Sequence, residues 1–123
     1  MTGLESAILG LHKAVHKAVH NPRRQHTWRW LVRHRMSSVK DALVMERSRG
    51  GDAWLAAREQ TLGRECDGLV VRLAALGPAV LESPDVDAVL GDLQRLVHAL
   101  EHYRQRLNDL VYDSVSLELG GSE

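Results

Sequence analysis

A chain of 123 residues that is 44% hydrophobic has enough apolar material for one continuous core and points to a single domain. That core must be built from Leu, Val and Ala, because Phe is absent and aromatics make up only 4% of the residues, an economy that argues against a sheet protein. The net charge is formally zero, yet residues 1–40 carry eight Lys and Arg against Glu5 alone, while residues 41–123 carry eight Arg against fifteen acids, a split of +7 and −7. Such a split serves attraction between helices, head-to-tail self-association, or an anionic partner on the basic part.

The longest apolar runs, 68–71 and 73–76, fall far short of the roughly 20 residues that span a membrane. The first eleven residues have no basic leader of the kind a signal peptide needs, so the expected location is the cytoplasm. Cys66 is the single cysteine, which leaves no internal disulfide.

In chain order, the first predicted helix runs from Thr2 or Gly3 to His20, with Leu4, Ile8, Leu11, Val15, Ala18 and Val19 at helical spacing, and Asn21-Pro22 ends it. The second begins between Pro22 and Thr27 and runs to about Ser48, burying Trp28, Leu31, Val32, Val39, Ala42 and Leu43, with Gly50-Gly51 as its stop. Asp52 is the expected N-cap of the third, which turns Leu55, Leu62, Cys66, Leu69, Leu73 and Leu76 inward and closes at Gly77-Pro78. Ser83-Pro84-Asp85 signals the start of the fourth: a capping hydroxyl, Pro at the first helical position and acids in the first turn. Its stripe is Val86, Val89, Leu90, Leu93, Leu96, Val97, Leu100, Leu107 and Val111.

Four amphipathic helices with short connections and no strand signal make an all-α, antiparallel up-down-up-down four-helix bundle over residues 1–113 the expected architecture. Residues 114–123 form a tail in which Val115, Leu117 and Leu119 alternate with Ser116 and Glu118, the pattern of an extended arm, a fraying helix end or a docking segment. There is no internal repeat.

Seven histidines in a small helical protein invite a metal reading, since bundle cores build di-iron sites from His and carboxylates on facing helices. In helix order, in helix length and in the His-rich segments at both ends, Leu11-His12 and His98-Ala99-Leu100-Glu101-His102, the chain resembles the hemerythrin-like (HHE) family of cation-binding bundles. That resemblance implies iron held by a His on the first helix, His-x-x-x-Glu on the second, paired His or Glu on the third, and a His with a following Asp on the fourth. Here the corresponding residues are His12, Glu46, Glu59, His98 and His102, but His34 is followed four residues on by Ser38, the third helix has no His, and Asp109 lies seven residues past His102. On a helical wheel His98 and His102 fall on either side of the face opposite Leu100, toward solvent, and His16 and His20 drift outward, leaving only His12 at the stripe edge. The pairs His12/His16, His16/His20 and His98/His102 each offer two ligands for zinc or nickel, a weak surface site without a second molecule. The expected cofactor is none.

The same wheels place Arg35 and Glu46 on the core face of the second helix, Arg58 and Glu59 beside the third stripe and Arg104 within the fourth. Charges so placed either pair as a buried polar layer or snorkel to water along their aliphatic stems.

Trp28 belongs to the core, but Trp30 points away from it, with Arg29, Arg33, His34 and Lys40 around it. An outward Trp among basic groups offers contact area and charge to a protein partner or a second copy; nucleic acid is a weaker fit, with no recognition motif behind it, and the C-terminal tail is a third candidate cover. There is no phosphate loop, nucleophile elbow or Ser/His/Asp order, and Cys66 lies on an inward face, so no enzyme activity is expected. The expected function is that of a non-enzymatic bundle acting through a protein partner or as a homodimer. The alternative is a non-haem iron protein of the hemerythrin-like kind that binds or senses oxygen or nitric oxide.

Overall fold

Apolar residues at three- and four-residue spacing fold as α1 (Gly3–Val19), α2 (Thr27–Ser48), α3 (Ala56–Glu82) and α4 (Val86–Gly121), and no strand occurs among the described residues. The computed structural model describes residues 3–21, 26–48 and 56–121, and within them every side chain except those of 56–59, 111 and 113–121. The stop at Gly50-Gly51, the cap at Asp52, and Pro22 and Leu55 lie outside the described residues.

The helices close a ring: α1 packs on α2, α2 on α3, α3 on α4 and α4 back on α1, with no close backbone approach across either diagonal among the described residues. Ile8 and Leu11 of α1, Val32, Met36, Val39 and Leu43 of α2, Cys66 and Val80 of α3, and Leu93, Leu96 and Leu100 of α4 are fully buried along its axis. Leu and Val side chains supply most of this interior, as a chain without Phe requires.

α2 is turned differently from the sequence reading. Val32, Met36, Val39 and Leu43 centre its buried face, which leaves Leu31, roughly 110° away, exposed rather than inward. Met36, not Arg35, fills the middle of that face. Arg35 is exposed and lies over Gly10 of α1, where an added Cβ would meet its Cδ at 3.5 Å. Long polar stems that cover a neighbouring helix in this way need no buried charge partner.

α3 does not close at Gly77-Pro78 but continues to Glu82 with Pro78 inside it. A helix-interior proline costs about 3 kcal/mol through its missing N–H and its clash with the preceding turn. What offsets this is beyond the proline: Val80 is fully buried, and the last turn is held from α2. Two glycines permit the close approach of α2. A Cβ at Gly63 would lie 2.8 Å from Arg47 Cζ, and one at Gly77 would lie 3.0 Å from Arg33 Nε, so both guanidiniums lie across notches in α3.

At the start of α4 the cap is Asp85, whose carboxylate accepts the Ala88 N–H at 3.1 Å, while the Ser83 hydroxyl accepts the Asp85 N–H at 3.2 Å. Pro84 therefore precedes the helix instead of occupying its first turn. The backbone of 114–121, set apart in the sequence as a tail, continues α4 to Gly121.

Ion pairs stitch the rim of the ring. Arg47 reaches Asp67 at 3.1 Å between α2 and α3, Arg106 pairs with Glu65 between α4 and α3, and Arg104 reaches Glu5 at 3.9 Å between α4 and α1. Asn108 donates to Glu5 at 3.2 Å beside the last of these.

Candidate functional site

The outward side of α2 is the most contact-ready surface among the described residues. Trp30 is 76% exposed. Along the same helix Leu31, Val44 and Met45 are exposed too, so the apolar material is not confined to one residue. Large side chains of this kind on a helix face that no other element covers are where protein partners usually seat.

The basic surround is thinner than the sequence suggests. Arg29 is only 8% exposed: its Nη1 donates to the Val80 carbonyl at 3.1 Å and its Nη2 to the Ser83 carbonyl at 2.7 Å, and its Cζ lies 5.2 Å from the Trp28 ring. It belongs to the fold, not to the surface. Arg33 is half-buried and donates to the Ser37 hydroxyl at 2.6 Å. His34 and Lys40 remain exposed. Carrying the helical wheel to the end of α2 would have found Val44 and Met45, which share the Trp30 side at positions 14 and 15 further on.

Of the charges that the sequence leaves either to pair inside or to snorkel to water, those described are half-buried or exposed. Arg104 is 33% exposed and pairs with Glu101 at 3.2 Å as well as with Glu5; Arg35 is exposed; the side chains of Arg58 and Glu59 lie outside the described residues. Glu46 is half-buried, near enough to Cys66 and Tyr103 for its charge to act on both. Burial is the main cause that pushes the Cys66 thiol up, and it pushes the Tyr103 phenol up further; the two groups also hydrogen-bond each other. With its Sγ donating to the Leu43 carbonyl at 3.4 Å, Cys66 is a packed core thiol, the reverse of an activated nucleophile.

The histidines are exposed, but four of them gather. His12 and His16 of α1, His20 just past its end, and His98 and Glu101 of α4 line a half-open groove of ≈ 230 Å³. His12 Nδ1 lies 3.8 Å from Glu101, His20 Nδ1 contacts the His16 carbonyl at 2.9 Å, and the rings of His98 and His102 stack at 6.5 Å. Of the residues that hemerythrin-like ligation would use, His12 and His98 share this groove, His102 stands beside it, and Glu46 is elsewhere, on α2 and near the Cys66–Tyr103 pair. Among the described residues no three His, Cys, Asp or Glu are placed to hold one ion.

No helix among the described residues is long and apolar enough to cross a membrane. What the fold defines, over the described residues, is an all-α arrangement of four helices. No protein-family model matches the chain, and no curated protein or solved structure matches it.

Proposed function

We propose that this chain is a non-enzymatic, cytoplasmic, antiparallel up-down-up-down bundle that works by protein–protein interaction through the outer side of α2. The bundle reading is supported by register: Arg29 early in α2 meets Val80 late in α3, whereas Leu43 late in α2 meets Cys66 in the first half of α3. The observation that carries the functional reading is Trp30, a large rigid side chain left 76% exposed on a well-packed helix. Replacing Trp30 with a photo-crosslinking aromatic residue should give a discrete adduct in cells, with none from the same residue at exposed Ala75 of α3. Equal labelling from both positions, or none from either, would overturn the reading.

The gathering of four histidines and Glu101 favours a second reading, a non-haem iron protein of the hemerythrin-like kind that binds or senses oxygen or nitric oxide. Elemental analysis of untagged protein decides between the two: stoichiometric iron with a charge-transfer band supports the second, and its absence removes it.

A further inference from the structure

The outward side of α2 carries a pattern that repeats when the helix is read backwards. Trp30 and Leu31 stand exposed near its start, and Val44 and Met45 stand exposed near its end. Between them lie His34 and Asp41, both exposed, and the middle is occupied by the small Ser37 and Ser38. At about 100° and 1.5 Å per residue, Trp30, His34, Ser37, Asp41 and Val44 share one strip about 21 Å long.

Turn that strip end for end about a twofold axis level with the two serines and it becomes its own complement. Trp30 and Leu31 come level with Met45 and Val44 of the partner subunit, and His34 comes level with Asp41 of the partner subunit. Each contact occurs twice, and the small serines sit where the two helix axes approach most closely. We propose that α2 is a self-pairing surface, on which two copies of the chain join through antiparallel α2 helices. The proposal rests on the reading of α2 as an interaction surface and names its occupant as a second copy.

Two features favour a second copy over a different protein. The placement is symmetric about the helix centre, which only an isologous contact uses. The imidazole of His34 and the carboxylate of Asp41 are complementary at the spacing that the apolar ends impose, so charge and shape select the same register. Arg33 is tied down at the edge of the strip, donating to Ser37 and lying over Gly77 of α3, so the contact relies on its apolar ends more than on the net charge of the basic part. One helix side against another is a small interface, which predicts a reversible dimer of micromolar affinity.

Sedimentation equilibrium of the untagged full chain, from low micromolar to near-millimolar concentration, tests this. A monomer–dimer equilibrium that persists in half-molar salt is expected, because burial of apolar surface is not screened. Trp30→Glu and Met45→Glu, both at exposed positions and checked for an unchanged helical circular dichroism spectrum, should each weaken it by about tenfold or more. His34→Glu and Asp41→Lys should each weaken it alone, while an equal mixture of the two recovers association. In the mixed dimer the introduced carboxylate faces the introduced ammonium at one contact, and the original imidazole faces the original carboxylate at the other. A monomer at every concentration, a dimer indifferent to Trp30→Glu, or a mixture that fails to recover would overturn the proposal. A monomeric chain that still crosslinks from position 30 to another protein would sink this inference alone; a monomer with no adduct would sink the wider reading with it.

Discussion

The guanidinium of Arg29 leaves α2 and donates to the carbonyls of Val80 and Ser83, groups that the end of α3 leaves without intrahelical partners. A positive charge at a helix C-terminus is also favoured by the macrodipole, and burial strengthens both effects. Arg29→Ala is therefore expected to lower the unfolding free energy by about 2–4 kcal/mol, and Arg33→Ala by less than about 1 kcal/mol, since its bond to Ser37 stays within one helix. Urea titration of the two variants against the parent chain checks this, and similar losses would mean that Arg29 is not the cap described. Apolar spacing locates Val32, Val39 and Leu43 correctly but has no means of finding this role. In sequence Arg29 differs from its neighbours Arg33 and Arg35 only by its angle on the helix, and its acceptors lie more than fifty residues away.

At the scale of elements, the helices themselves are legible because their apolar spacing is regular, whereas two of their ends are not. Gly77-Pro78 carries every local mark of a stop, yet α3 runs through it, because burial of Val80 and the hold of Arg29 act beyond the proline and come from tertiary structure. Ser83-Pro84-Asp85 does mark a start, but the cap lies two residues further along: Asp85 accepts from Ala88, and Ser83 supports Asp85. These assignments differ in consequence. Asp85→Ala should cost about 1 kcal/mol, the usual worth of an N-cap, and Ser83→Ala less than half of that. Thermal unfolding of both variants gives the comparison, and a larger loss from Ser83→Ala would return the cap to the serine. The same dependence on rotation explains Leu31, which apolar spacing turns inward and which stands exposed next to Trp30 because Met36 centres the buried face of α2.

For the molecule as a whole, three helices meet at Cys66, whose thiol donates to Leu43 of α2 and hydrogen-bonds Tyr103 of α4. Spacing alone puts Tyr103 on the Leu100 side of α4; its hydroxyl argues for the rim, and the thiol supplies the partner that lets it stay inside. Both groups are neutral when protonated, and burial is the main cause of the rise in each folded pKa, from 9.0 for the thiol and 10.0 for the phenol. The folded state thus keeps its protons to higher pH than the unfolded chain does. The stability this linkage contributes is complete below about pH 9 and declines as pH climbs through the folded values, because the unfolded state gains by ionising first. Urea midpoints measured from about pH 8 upward should fall progressively beyond about pH 9. Tyr103→Phe keeps the ring and removes one of the two titrations, so its midpoint should start lower, for the lost hydrogen bond, and then fall less steeply. An equal slope in the two proteins would mean that the phenol is reached by water, and the packing of α4 against α3 at this level would have to be redrawn.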